Sequence, residues 1–279
     1  MKLNLVPART GATWVRSGLQ TFAKRPLAFM ALFMFFMAVV SLASQLPLVG
    51  TVLALMLLPA MTLGLMAAAA AVSAIGAQPS SASLFATAFQ AVRADVRPLA
   101  VLGALYAVLF LLVVGISALV DGGQFARAYL LGEPVSREMA ESGAFQGALW
   151  LSLAFYLPLS LAFWHAPALV HWHRIPPAKS LFFSFVACFK TFGALSVFGL
   201  VWMGVVLGAG ILLSLVTVLL AAMGLFGSGE GAGAAAGGTL VIGGVLVTAA
   251  MFFTSAWFSF RSTFDGDSGP GGDAGRAVD

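Results

Sequence analysis

The chain has 279 residues, 61% of them hydrophobic and only 9% charged, with a formal net charge of +4 and a mean hydropathy of +1.01. Ordinary soluble domains carry about 25% charged residues, so this composition excludes a water-soluble globule. Cys188 is the only cysteine, which excludes an internal disulfide and a thiolate metal cluster and leaves it as a small apolar filler.

The first residues are polar and basic. Trp14, Val15, Leu19 and Phe22 share one helical face with Arg16 and Lys24 beside them, a weakly amphipathic helix. Pro26 then forces a break and restart. Six apolar blocks follow, at 27–46, 49–71, 99–120, 148–170, 194–225 and 240–260, none holding Asp, Glu, Lys or Arg. A helix needs about 20 apolar residues to cross about 30 Å of hydrocarbon, and these runs are continuous where barrel strands would alternate. The fifth block exceeds one crossing, so it tilts, kinks or extends past the interface. Ser41-Leu42-Ala43 looks like a cleavage site, but the apolar run before it is longer than the roughly 7–15 residues of a cleaved signal, so no cleavage is expected.

Between the blocks the pattern repeats. Ser83-Leu84-Phe85-Ala86-Thr87 through Arg93 aligns without gaps on Ser180-Leu181-Phe182-Phe183-Ser184 through Lys190, and Arg25-Pro26-Leu27-Ala28 recurs as Arg97-Pro98-Leu99-Ala100. Leu84, Phe85, Ala88, Phe89 and Val92 form a helical stripe opposite Ser83, Thr87, Gln90 and Arg93. Leu181, Phe182, Phe185, Val186 and Phe189 repeat it opposite Ser180, Ser184 and Lys190. Such repetition predicts three units, each an amphipathic helix followed by a transmembrane hairpin, with 121–146 inserted as a solvated loop carrying a short helix over 135–146. The expected fold is therefore all-α: a polytopic bundle of six membrane helices in three hairpins, each preceded by a cytoplasmic amphipathic helix. One membrane domain covers 1–264, and the Gly/Asp-rich tail 265–279 is expected to be disordered.

All but Arg127 and Arg137 of the 14 Lys and Arg fall on one side of this topology; the other side holds Asp121, Glu133, Glu138, Glu141 and Glu230. Basic residues in short loops stay in the cytoplasm, so both termini are expected there, in a bacterial inner membrane. Arg16, Lys24, Arg25, Arg93, Arg97, Lys179 and Lys190 are then candidate contacts for anionic inner-leaflet lipid. The alternative is that these amphipathic helices simply pack under the bundle. The expected partners are lipid, with a membrane protein or a second copy possible in the plane of the bilayer, and no nucleic acid.

Little here points to chemistry. His165 is the one ionisable residue inside a block and a candidate midplane polar site; the bland alternative is a neutral imidazole bonded to a carbonyl. His171 and His173 flank Trp172, a spacing that chelates metal poorly on a helix and reads with Arg174 as an interfacial anchor. Pro59 and Pro158 lie inside blocks at matching points and can either mark a binding site or only shape packing. The run Gly227-Ser228-Gly229-Glu230-Gly231 has glycine spacing but no strand before it, so it reads as a turn rather than a dinucleotide loop. Gly204-x3-Gly208, Gly237, Gly238, Gly243 and Gly244 allow close helix contact. No catalytic residue, cofactor or metal is expected. The chain is expected to be non-enzymatic, a membrane-organising or accessory protein, with a carrier or channel for a small apolar or amphipathic molecule as the rival.

The segment Val6-Pro7-Ala8-Arg9-Thr10-Gly11, the Trp14, Gly18, Phe22, Pro26 spacing, and Ala166-Pro167-Ala168-Leu169-Val170 with Trp172-His173 and Pro176-Pro177-Ala178-Lys179-Ser180 resemble an uncharacterised family of proteobacterial inner-membrane proteins. More distantly the plan resembles the membrane domains attached to some bacterial glycerophosphodiester phosphodiesterases. The resemblance implies location and architecture and carries no phosphodiesterase activity.

Overall fold

A computed structural model describes residues 3–47, 49–74, 79–224 and 232–264. Among these there is no strand, and twelve helices follow one another. They are α1 (Thr10–Lys24), α2 (Pro26–Ser44), α3 (Gly50–Ser73), α4 (Ser81–Ala94), α5 (Val96–Asp121), α6 (Gln124–Leu131), α7 (Arg137–Glu141), α8 (Gly143–Trp164), α9 (Ala166–His173), α10 (Pro177–Lys190), α11 (Phe192–Ala222) and α12 (Ala232–Phe264). Six stretches are long and apolar enough to cross a membrane: α2, α3, α5, α8 with α9, α11 and α12. They coincide with the six apolar blocks. The predicted turn 227–231 and the tail 265–279 lie outside the described residues.

The chain forms two compact units, one of Met1–Phe35, Leu65–Ala88 and Thr191–Asp279, the other of Phe36–Gly64 and Phe89–Lys190. In the first, α11 and α12 run antiparallel, joined by the Trp202 indole N–H donating to Ser255 Oγ at 3.1 Å. Against this pair lies α1, which buries Trp14, Val15, Gly18, Thr21 and Phe22. Trp14 meets Phe198 at 6.1 Å between ring centroids, and the Asn4 N–H donates to the Thr263 carbonyl at 2.9 Å. Gly11 and Gly18 make the approach possible. A Cβ on Gly11 would run into the Ala194 carbonyl oxygen, and one on Gly18 into Ser255.

α11 stays helical over 31 residues, roughly 46 Å at 1.5 Å per residue, so the long fifth block is one helix longer than the roughly 30 Å of hydrocarbon. The Gly204-x3-Gly208 pair, like Gly238 and Gly243, faces open space; in this helix pair Leu213 closes upon Gly244 and Thr217 upon Gly237.

In the second unit α5 runs antiparallel to α8 and α9. Tyr106 meets Phe163 edge-on at 5.0 Å and Phe110 meets Tyr156 at 6.1 Å. Gly103 faces the Met56 carbonyl of α3, again a backbone approach that a Cβ would block. The segment after α5 is more structured than a solvated loop. Asp121 accepts from the N–H groups of Gly123 and Phe125 at 2.8 and 2.6 Å, and Gly122 and Gly123 take left-handed conformations (φ 66° and 86°) that let α6 fold back. Phe125 of α6 then packs on Phe145 of α8. The short helix expected over 135–146 is instead two: Ser136 caps α7 by accepting from the Met139 N–H, and Ser142 caps α8 by accepting from the Phe145 N–H.

Candidate functional site

The fourth span is broken. α8 continues through Pro158, but the helix stops at His165 and restarts as α9 with Pro167 in its first turn. Pro167 brings no N–H and its ring crowds the carbonyl four residues back, which favours the break there. The partner that makes the break tolerable comes from α10. The His165 backbone N–H donates to Ser184 Oγ at 2.9 Å, and Ser184 Oγ donates to the Leu161 carbonyl at 2.9 Å. One hydroxyl thus fills the gap between a donor and an acceptor that a continuous helix would have joined directly. Replacing Ser184 by alanine leaves both backbone groups without that partner in a buried site. We expect it to cost about 1–3 kcal/mol, read as a lower Tm of the detergent-solubilised protein, with Ser184→Thr restoring most of it. An unchanged Tm in the alanine variant would sink this account.

The His165 side chain is fully buried, its Nδ1 3.7 Å from Cys188 Sγ. It lies seven residues from the midpoint of the Gly143–His173 span and eight from the end of α9, about halfway between the two. Gln146, near the start of α8, donates its side-chain amide to the Ala140 carbonyl of α7 at 2.7 Å. Burial pushes the Cys188 thiol up to about 12, against the smaller opposing effect of the Ser184 hydrogen bond. The thiolate is therefore scarce at neutral pH, and maleimide should label Cys188 only after denaturation. Rapid labelling of the native protein would show that this face opens.

Ser180, Ser184, Ala187 and Cys188 form the buried face of α10, which seats on α8, α9 and α5. This corrects the helical wheel. The serines do not share a polar face with Lys190; they point into the protein, because small side chains allow close seating and Ser184 completes the break. Phe182, Phe183, Phe185 and Phe189 point outward, the first and last 64% and 70% exposed, and Lys179 and Lys190 stand on the same exposed arc. α1 does the reverse, hiding its aromatic face under α11 and α12. α4 buries Leu84, Ala88 and Ala91 while Phe89 is exposed. Arg16, Lys24, Arg93 and Arg97 are exposed, and Arg25 is half-buried where α1 meets α2.

The sequence reading missed one cluster altogether. Asp95, immediately before α5, is 4% exposed; its carboxylate accepts from Arg174 Nη1 at 2.6 Å and pairs with His171 Nδ1 at 2.5 Å. Arg174 is the one non-glycine among the described residues with a left-handed backbone (φ 55°). His171 and Arg174 are thus tied to an acid rather than serving as a simple headgroup anchor. The signal was there: Asp95 is a lone acid between Arg93 and Arg97 in a loop otherwise read as purely basic.

An all-helical chain with six membrane-crossing helices is a polytopic membrane protein. Over 211 residues, 75% of this chain, it is 34% identical to a probable inner membrane protein of Burkholderia thailandensis, of which the match covers 77%. The chain belongs to that family of inner-membrane proteins. No family model and no solved structure matches it.

Proposed function

We propose that this is a non-enzymatic accessory or membrane-organising protein of the inner membrane, with both termini cytoplasmic, that reads anionic lipid through the exposed face of α10. The observation that carries this reading is the outward turn of four phenylalanines beside two lysines on a helix whose other face is locked into the bundle. Phenylalanines at the acyl boundary gain by burial, and each lysine near an anionic surface adds about 1 kcal/mol. The basic residues Arg93 and Arg97, exposed beside α5, and Arg16 and Lys24 on α1 would face the same leaflet. A non-enzymatic role is supported by the setting of His165 and Cys188, a buried imidazole beside a thiol held protonated. No phosphodiesterase activity is proposed from the distant resemblance of the membrane plan.

The test labels Phe189→Cys with bimane in a Cys188→Ala background, in nanodiscs. With phosphatidylglycerol present, the probe should show apolar emission and be quenched by quencher-bearing lipid, and Lys179→Glu with Lys190→Glu should reverse this. Water-like emission in both anionic and neutral discs would overturn the lipid-reading role. Reporter fusions after Arg97 and Arg174 test the orientation, which a periplasmic signal would reverse.

The rival reading, a carrier for an amphipathic molecule, has one feature in its favour. α11 and α12 enclose a lateral groove of about 620 Å³ lined by Gly199, Gly210, Gly244, Trp202 and Phe252. Its walls suit a hydrocarbon chain, and photo-crosslinking of a diazirine-tailed lipid to Gly210→Cys would favour this reading over the first.

A further inference from the structure

None of the eight residues of α6 is buried, yet Phe125, Tyr129, Leu130 and Leu131 make half of it large and hydrophobic. Tyr129 is 60% exposed, Leu131 72%, and Val135 just beyond the helix 44%. Beside water this would be an open apolar patch. The depth of α6 along α5 says what covers it instead. Arg97, near the start of α5, marks one face of the hydrocarbon, because a charged side chain stays at the interface. About 30 Å of hydrocarbon takes about 20 residues at 1.5 Å each, so the opposite face falls near Ser117, and α5 carries no charge from Pro98 to Val120. Phe110 is seven residues short of Ser117, roughly 10 Å deeper, and its side chain leans toward the helix N-terminus, deeper still.

The Tyr129 ring meets the Phe110 ring at 5.8 Å. Even if that whole distance pointed outward, Tyr129 would lie about 4 Å inside the hydrocarbon boundary. The start of α6 is held at the boundary itself, where Phe125 meets Phe145, the third residue of α8, at 5.9 Å. α6 therefore runs back down along α5 and α8, and Tyr129 lines the same cleft as Leu153 and Tyr156. Its charges turn the other way. Arg127 Nη1 donates to the Gly122 carbonyl at 3.4 Å, back toward the end of α5, and Arg127 Nε pairs with Glu133 at 3.3 Å. A long side chain can carry its charge toward the headgroups in this manner. Gly132, left-handed at φ 69°, lets the chain turn back after Leu131.

We propose that α6 is embedded in the lipid leaflet at the Asp121 end of the bundle, its exposed apolar side chains against acyl chains and its ion pair at headgroup level. Amphipathic helices of this kind sit about 5–10 Å into the acyl boundary. The surface it joins is continuous with the lipid-facing surface of α5 and α8, where Leu112, Leu153 and Leu157 are at least half exposed. This inference is independent of the face of α10.

A nitroxide at Leu131→Cys in a Cys188→Ala background tests it, with the full-length protein in nanodiscs of phosphatidylethanolamine and phosphatidylglycerol. Power saturation reads collisions with oxygen, which concentrates among acyl chains, and with a water-soluble nickel chelate. Leu112→Cys on α5 marks the lipid limit and Glu138→Cys on α7 the aqueous limit. The ratio of oxygen to nickel collisions at 131 should exceed that at 138 severalfold and approach that at 112. Tyr129→Cys gives a second reading at another exposed position, so neither label disturbs the core. Ratios at 129 and 131 equal to that at 138 would put α6 in water and overturn the proposal. Few collisions with either reagent also overturn it, since a protein partner rather than lipid would then cover this face.

Discussion

Replacing Gly11 by alanine and Gly18 by valine should release α1 from α11 and α12 and produce one of the two largest stability losses of any substitutions in this chain. The reason is that neither new side chain has anywhere to go. At Gly11 the obstacle is the backbone carbonyl of Ala194 with the Phe198 N–H behind it, and at Gly18 it is the backbone and Cβ of Ser255. Flexible side chains can yield to an intruding methyl, but a neighbouring helix backbone must move as a body. Overpacking of a close contact costs about 1–3 kcal/mol at each site, and here the upper end applies. The two glycines lie seven residues apart on one face of α1, so the double variant levers the helix away at both ends. With it would go the cover over Trp14, Phe22 and Phe198, all buried in the native protein. Limited trypsin digestion gives the direct readout, since Arg16 and Lys24 lie on α1 itself. The double variant should be cut there at protease levels that leave the wild type intact, and its Tm in detergent should fall. Gly204→Ala and Gly208→Ala, which face open space, serve as controls and should change neither. If the double variant keeps wild-type Tm and protease resistance, the close seating of α1 is wrong.

The six crossings were legible because membrane insertion is decided by local composition: about twenty apolar residues without a charge suffice. Helix ends were less so, since a helix continues past the oily run whenever its flanks can still be satisfied. Thus α5 begins at Val96 rather than at 99, and α8 begins at Gly143 rather than at 148, because Ser142 supplies a cap. What escaped was every feature that depends on a distant partner. Pro158 and Pro167 look alike in sequence, yet the chain breaks only near the second, where Ser184 from α10 supplies both hydrogen bonds. The same dependence decides which way each amphipathic helix turns its aromatic side. A wheel shows that α1 and α10 each have an aromatic side, but not that the first is buried beneath other helices while the second is turned outward. α6 went unread for a different reason. Its signals, Asp121 followed by Gly122 and Gly123, are strong turn chemistry, but they stood in a segment dismissed as solvated.

Asp95→Ala is expected to be the most damaging single charge substitution in the chain. In the native protein this carboxylate is almost wholly buried and receives both the His171 imidazole and the Arg174 guanidinium. Its two partners differ in setting. The His171 side chain is 20% exposed, whereas that of Arg174 is 69% exposed, so water can take over for the arginine but only partly for the histidine. Deleting one partner of a buried ion pair costs about 3–5 kcal/mol when both are desolvated; the exposure of Arg174 lowers that toward about 2–3 kcal/mol here. Removing Arg174 should cost at most about 1 kcal/mol, since the deleted group was largely solvated and Asp95 keeps His171. Arg174→Gly should cost less still, because glycine adopts the left-handed backbone at this position without strain. The expected order of Tm loss in detergent is therefore Asp95→Ala first, His171→Ala second, Arg174→Ala third and Arg174→Gly last. Asp95→Asn should fall between the first two, since the amide keeps the shape and some hydrogen bonding while losing the charge. The order is the test. If Arg174→Ala proves as damaging as Asp95→Ala, the guanidinium rather than the buried carboxylate is the keystone of this end of the bundle, and the exposure argument fails.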